Sequence, residues 1–196
     1  MFFRSERLFL RPAWPEDWQA LHAAIDDESV VRQLAMVPWP YTDEDAKAYA
    51  SLNHDPHLPQ FLITRPHGVL GSQVLGSVGL HAEGGEVELG YWLGRQHWGH
   101  GYATEAVRAM LSMARAIGHR RLYAAHFLDN VASGKVLQRV GFRPQGELAP
   151  RMSVARGEFV PARRYALDLA EPDDKGNDEG PMGGPMRNVL PRLAAA

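Results

Sequence analysis

The chain has 196 residues, of which 45% are hydrophobic, and its 21 Lys and Arg stand against 23 Asp and Glu. That is enough apolar material for one domain with a sizeable core, and a formal charge of −2 offers no basic excess to neutralise the phosphates of DNA or RNA. The absence of cysteine excludes a disulfide framework, a thiolate nucleophile and a Cys-based zinc site. The start, Met1-Phe2-Phe3-Arg4-Ser5-Glu6-Arg7, lacks an apolar leader core, and no later stretch is apolar for the ~18 residues a membrane span needs. We therefore expect a cytoplasmic protein without a membrane partner.

Arg7 to Pro12 reads as a short first strand stopped by proline, and Trp18, Leu21 and Ile25 fall at helical spacing. Helices are predicted around 16–25 and 28–35. After the stiff turn Pro38-Trp39-Pro40-Tyr41, Thr42 caps a further helix that has acids near its positive end and runs to about Asn53. Four strand-like runs follow, Gln60 to Thr64, a weak one from Val69 to Gln73, Val74 to His81 and Glu86 to Leu93. The connection Ala82-Glu83-Gly84-Gly85 makes the last two a hairpin.

From Thr104 to Ile117, positions Val107, Met110, Leu111 and Ala114 form one apolar helical stripe, ended by Gly118. Arg121 to Phe127 is a strand, Asp129-Asn130 caps a helix through Val140, Gly141 stops it, and Arg163 to Leu169 is the last strand. Beyond Leu169 the chain becomes polar and rich in Gly and Pro, unsuited to a core. This divides it into a domain over 1–169 and a mobile tail over 170–196, whose Met186 to Leu193 segment, together with any exposed strand edge, allows a homodimer.

The chemistry centres on Gln96-His97-Trp98-Gly99-His100-Gly101-Tyr102-Ala103-Thr104, a turn between a strand and a strong helix. Such a turn presents successive backbone N–H groups and a positive helix end to phosphate oxygens. Gly-x-Gly before a helix also serves steric ends alone. No Gly-Lys-Ser/Thr follows for a nucleotide loop, and no third glycine stands three positions after Gly101, so the two commonest dinucleotide and nucleotide motifs are absent.

In this setting the sequence resembles the GNAT N-acetyltransferases, whose signature is Gln/Arg-x-x-Gly-x-Gly/Ala. Gln96 to Gly101 fits every position. The strings Glu88-Leu89-Gly90-Tyr91-Trp92-Leu93, Trp98 to Ala106, and Asn130-x-x-Ser133 before Gly141-Phe142 look like the RimJ/RimL branch, known for acetylating protein N-termini. The likeness covers roughly residues 5–169. It implies an α/β fold of the α+β type, with a mixed, mostly antiparallel central sheet of six to seven strands, helices on both faces and a splay between the fourth and fifth strands.

By that resemblance the cofactor is coenzyme A, brought as acetyl-CoA, with no metal. Its pantetheine is expected against the backbone of Trp92 and Leu93, with a contact from Asn130. Its pyrophosphate is expected in the turn formed by Gln96, His97, Trp98, Gly99, His100, Gly101, Tyr102, Ala103 and Thr104, with the side chains of His97 and His100 facing solvent.

Acyl transfer to an amine needs a neutral amine, a stabilised oxyanion and a protonated leaving thiolate. Many family members protonate the thiolate with a tyrosine four residues before the Gly-Phe pair, but here that position is Leu137. Ser133 occupies the place where the RimJ/RimL branch has its serine, and is either the group that hydrogen-bonds the sulfur or a second capping hydroxyl beneath Asn130. Gly134, costly inside a helix, implies close approach of the cofactor. Strand alternation puts Glu86, Glu88, Gly90 and Trp92 on one face and the core-like Val87, Leu89, Tyr91 and Leu93 on the other. Glu88 is then the favoured general base, its alternative being an exposed strand glutamate.

His54-x-x-His57 has metal-like spacing but is interrupted by Pro56 and lacks a third ligand. His81 and His126 are minor alternative bases at strand ends. Trp39 and Tyr41 line either the acceptor cleft or the core, while Trp14 and Trp18 pack. The leading reading is an acetyl-CoA-dependent transferase acting on a primary amine, either a protein N-terminus or a small molecule. Its rivals are a non-catalytic acyl-CoA-binding or sensory domain and a transferase with another donor such as succinyl-CoA.

Overall fold

A computed structural model describes residues 1–52, 55–66 and 71–169. The strands are β1 (Phe3–Arg4), β2 (Phe9–Arg11), β3 (Gln60–Pro66), β4 (Ser72–Glu83), β5 (Glu86–Leu93), β6 (Arg121–Phe127), β7 (Arg143–Ser153) and β8 (Glu158–Asp168), and the helices are α1 (Trp18–Ile25), α2 (Glu28–Val31), α3 (Asp43–Ala50), α4 (Tyr102–Ala116) and α5 (Val131–Arg139). All eight strands join one sheet in the order β1-β2-β3-β4-β5-β6-β8-β7.

The sheet is covered on both faces, and adjacent residues of one strand serve different cores. Leu62 packs with Leu21, Ile25, Val31 and Ala46 from α1 to α3. Phe61 and Ile63, beside it in β3, pack with Val107 and Met110 of α4 and Leu137 of α5. This is the two-residue period of a strand with apolar layers above and below. It explains why Phe61, Leu62, Ile63 and Thr64 are all buried. At the mouth of α3, Thr42 Oγ1 accepts from the Asp45 N–H at 3.2 Å while Asp45 returns a bond to the Thr42 N–H at 2.9 Å, a capping box.

Neighbouring strands run antiparallel except β5 and β6, which are parallel and share one paired position, Glu88 with Tyr123. From there to Leu93 the two strands carry no ladder. This is the expected splay, shifted to the fifth and sixth strands because the two-residue β1 precedes the rest.

The sheet has eight strands where six to seven were expected. The additions are β1 and β7, and β8 begins at Glu158 instead of Arg163. Pro144, Gly146 and Pro150 hid β7, yet it lies at the sheet edge, where prolines need not donate to a ladder. The two runs expected around Val69–Gln73 and Val74–His81 are one strand from Ser72 to Glu83, with Val69 and Leu70 outside the described residues. The α2 helix ends at Val31, four residues earlier than expected. The proposed tail over 170–196 lies outside the described residues. Among those described, no helix is long and apolar enough to cross a membrane.

Candidate active site

Where β5 and β6 part, a cavity of about 510 Å³ opens. One wall is the segment from Val30 through Gln33 to Leu34, the floor is the end of β5 at Tyr91, Trp92 and Leu93, and the far wall is the start of α5 with Asn130 and Ser133. The turn before α4 closes the end, contributing His97, Trp98, Gly99 and the run from Gly101 to Thr104.

The turn is built for close backbone approach. Gly99 and Gly101 have φ of 78° and 79°, the left-handed region that favours glycine, and Gly101 is the N-cap of α4. The first turn of a helix has no preceding carbonyls for its N–H groups, so those of Tyr102, Ala103 and Thr104 remain for a ligand at the positive helix end. The Trp98 indole donates to the Leu93 carbonyl at 2.8 Å, tying the turn to the strand. Glu105 anchors its other side. Its carboxylate accepts from the Arg7 N–H, Arg7 Nε and Ser5 Oγ, each at 2.7 Å. Burial alone would raise its pKa, but these donors hold it below its ordinary value.

A family model described as an acetyltransferase (GNAT) domain matches residues 7–143. The chain belongs to the GNAT acetyltransferase family. This GNAT chain is accordingly an acyltransferase, and its curated relatives are described as uncharacterized N-acetyltransferases. It is 26% identical over 155 residues to the uncharacterized N-acetyltransferase YoaA of Bacillus subtilis (strain 168), covering 76% of this chain and 86% of that one. Among solved structures it resembles a GNAT-family acetyltransferase from Bacillus anthracis, with a TM-score of 0.72 and 24% identity over 87% of this chain and 100% of the other. It also resembles RimL, a ribosomal alpha-N-protein acetyltransferase in complex with coenzyme A, with a TM-score of 0.72 and 22% identity over 86% and 98% of the two chains.

In this GNAT fold the cavity wall gathers most of the residues named from sequence: Trp92 and Leu93 on the strand, the turn from His97 to Gly99 and from Gly101 to Thr104, and Asn130 and Ser133 on α5. Gln96 and His100 are exposed and off that wall; the His100 ring stacks on Tyr102 with centroids 5.6 Å apart. His97 does not face solvent. It is 6% exposed, and its Nε2 has no hydrogen-bond partner. Burial, then the charges of Arg65 and His100, push its pKa down, so it is a neutral imidazole.

The capping role of the α5 start falls to Asn130, whose side chain accepts from the Ser133 N–H at 3.1 Å. The Ser133 hydroxyl instead meets the Tyr91 hydroxyl at 2.8 Å. Leu137 is fully buried, so the usual tyrosine position faces the core. Gly134 has a neighbour within the protein that calls for a missing side chain. A Cβ there would lie 2.7 Å from His126 Nε2 and 3.4 Å from the Tyr165 hydroxyl. His126 is thereby placed beneath α5, bonded through Nε2 to the Tyr165 hydroxyl at 3.2 Å and off the cavity wall.

Glu88 stands on the other face of β5, off the cavity wall. Its carboxylate, only 12% exposed, accepts from Arg151 Nη1 at 2.6 Å, and His81 Nε2 is 3.9 Å away. Burial raises the Glu88 pKa, and the Arg151 guanidinium opposes that without reversing it. Between Glu88 and Trp92 on this face lies Gly90, whose missing side chain would meet only the His81 ring, at 3.6 Å. On this face of β5, no side chain of the strand itself stands between Glu88 and the cavity-lining Trp92.

His81, Glu83 and Glu88 place three ligand atoms within 4.8 Å of one another, but Arg151 already donates to both carboxylates, which suits a guanidinium better than a metal ion. His54 lies outside the described residues. Trp39 and Tyr41 pack with the α1–α3 core. Trp14 is 46% exposed, under the Arg11 guanidinium 4.0 Å from its ring, instead of in the core. Two residues escaped sequence reasoning. Tyr91 stood on the face read as core, and Arg151 on a strand that was not expected; a hydroxyl at the strand end nearest the splay was the available signal for the first.

Proposed function

We propose that this enzyme transfers the acetyl group of acetyl-CoA to a primary amine, a protein N-terminal amine or a small-molecule amine, by direct attack in a ternary complex. The observation that carries this is the single cavity joining the glycine turn, the free end of β5 and Ser133 at the parting of two parallel strands. The N–H groups from Gly99 to Ala103 receive the pyrophosphate, that of Trp98 being already given to the Arg95 carbonyl at 3.2 Å, while the backbone of Trp92 and Leu93 pairs with the pantetheine amides and Asn130 contacts the same arm. The likeness to RimL, solved with coenzyme A, supports coenzyme A as the ligand of this fold. RimL acts on a protein alpha-amine, which favours testing N-terminal peptides first.

The amine approaches from the side of Val30, Gln33 and Leu34. Glu88 takes its proton through water past Gly90, and Ser133 hydrogen-bonds the departing sulfur. A carboxylate whose pKa is raised toward neutrality is a better general base than an ordinary one. The decisive experiment is thiol release from acetyl-CoA with a panel of N-terminal peptides, polyamines, amino acids and aminoglycosides. The protein itself contributes no thiol background, having no cysteine. Thiol release with one amine class and a product heavier by one acetyl group is expected. Binding of coenzyme A with no amine ever acylated overturns the reading, and a succinylated product under competition between donors overturns the choice of acetyl-CoA.

A further inference from the structure

We infer that Tyr91 is a positioning residue for the leaving-group side of the reaction, its hydroxyl holding the Ser133 hydroxyl so that the Ser133 hydrogen points into the cavity at the thioester sulfur. This rests on the reading of Ser133 given above and adds to it a second residue from a different element.

Tyr91 comes from β5 and Ser133 from α5, and both line the cavity. The Tyr91 hydroxyl lies 2.8 Å from Ser133 Oγ and 3.2 Å from the Ser133 carbonyl. A phenol has one hydrogen to give. The Ser133 carbonyl sits inside α5, where the helical N–H four residues on is its natural partner, so Oγ is the acceptor with the greater need and the shorter distance. Once Oγ accepts from Tyr91, the serine hydrogen is free for a third atom. A helical serine otherwise tends to turn that hydrogen back onto the preceding turn's carbonyl.

The phenol is suited to hold and not to give. Burial pushes the Tyr91 pKa up to about 12, against the opposing effect of the Ser133 bond, so the group keeps its proton throughout the neutral range. In the reaction the amine nitrogen forms its bond to the carbonyl carbon, the C–S bond breaks, and its electron pair leaves on sulfur, which meets the Ser133 hydrogen. The proton lost by the amine balances the proton finally carried by the free thiol, and Tyr91 and Ser133 finish with the hydrogens they began with. The tyrosine that the helix lacks at Leu137 is in this way replaced by one from the sheet, acting through a serine.

The test is a double-mutant cycle on the whole chain with Tyr91→Phe, Ser133→Ala and both together. Tyr91→Phe is expected to lower kcat on the order of 10- to 100-fold while KM for acetyl-CoA and calorimetric affinity for coenzyme A stay within about twofold, as for interactions made only at the transition state. The double variant should be no slower than Ser133→Ala, because the two act as one unit. Incorporation of 3-fluorotyrosine at position 91 keeps both ring and hydroxyl, and should retain the wild-type kcat. Wild-type turnover by Tyr91→Phe while Ser133→Ala is slow overturns this inference alone, as do multiplicative losses in the double variant or a fluorotyrosine enzyme as slow as the phenylalanine one. Wild-type turnover by Ser133→Ala overturns the inference together with the assignment of Ser133.

Discussion

Arg151 reaches from the edge hairpin to β5 and grips Glu88, Nη1 to Oε1 at 2.6 Å, while its other terminal nitrogen holds Glu83 at 2.7 Å. The side chain proposed as base is therefore a partnered carboxylate in a partly dry setting, and its strength as a base is set by the contest between burial and that guanidinium.

The pH profile follows from that contest. Glu88 accepts a proton only when ionised, and its pKa lies above the ordinary carboxylate value of 4.5, so kcat/KM should fall on the acid side at a pH above that value. Removing the positive partner with Arg151→Met leaves burial opposed only by the smaller effect of His81 and should move this limb to higher pH. Glu88→Gln should abolish the limb and slow turnover on the order of 100-fold. Rates from pH 5 to 9 for the three proteins check this; an acid limb unmoved by Arg151→Met would separate Glu88 from the base.

A second prediction concerns stability at the start of α1. Arg11 forks onto Asp17 with two bonds of 2.6 Å, the two side chains being 7% and 12% exposed. Burial would raise the Asp17 pKa, but Arg11 and the Trp14 N–H bring it below 3.8. A depressed folded-state pKa contributes stability above the unfolded value, lost as pH falls through the folded one. Asp17→Asn should therefore cost about 3 kcal/mol at pH 7 by denaturant unfolding, and the gap to wild type should narrow below pH 3.8.

Gly134→Ala sets two effects against each other. Alanine gains about 1 kcal/mol of helix propensity, but its Cβ would lie 2.7 Å from His126 Nε2. That ring cannot simply yield, since Nδ1 lies 2.7 Å from the Phe127 carbonyl and Nε2 bonds Tyr165. Overpacking of this kind costs about 1–3 kcal/mol, so a net loss of roughly 1 kcal/mol is expected. A gain in melting temperature would show that α5 shifts freely.

Gly101→Ala meets no comparable obstacle, as the nearest atom to its Cβ would be Arg7 Nη2 at 3.6 Å. Its cost comes from φ of 79°, about 1–2 kcal/mol for a residue with a side chain, relieved by turning N–H groups away from the cavity. Calorimetry should show coenzyme A binding weakened roughly 10-fold with the unfolding midpoint little changed.

Much of the fold was legible because its central elements obey a single period each. Val107, Met110 and Ala114 mark α4, and the glycine turn and Asn130 mark helix starts by local chemistry that tertiary context does not alter. What was not legible depends on partners distant in the chain. The β7 strand contains two prolines and a glycine and is a strand only because β8 pairs with it. The burial of His97 follows from packing around the turn, and its polarity pointed the wrong way. In the site, the donor turn could be read from its own residues, whereas the partners of Ser133 and Glu88 come from positions 42 and 63 residues away.

The strand β5 has a further consequence as a partition. Trp92 packs with the α1–α3 layer and Tyr91 with the α4–α5 layer, and Glu88 shares the face of Trp92. In the proposed mechanism, proton removal and thiolate departure fall on opposite sides of one peptide ribbon, kept apart by its pleat. The spacing between Glu88 and Tyr91 is odd-numbered, and that parity is what separates the two tasks. Inserting or deleting one residue between them would put base and phenol on the same side, leaving a sheet of nearly unchanged strands with its two chemical halves no longer facing their own partners.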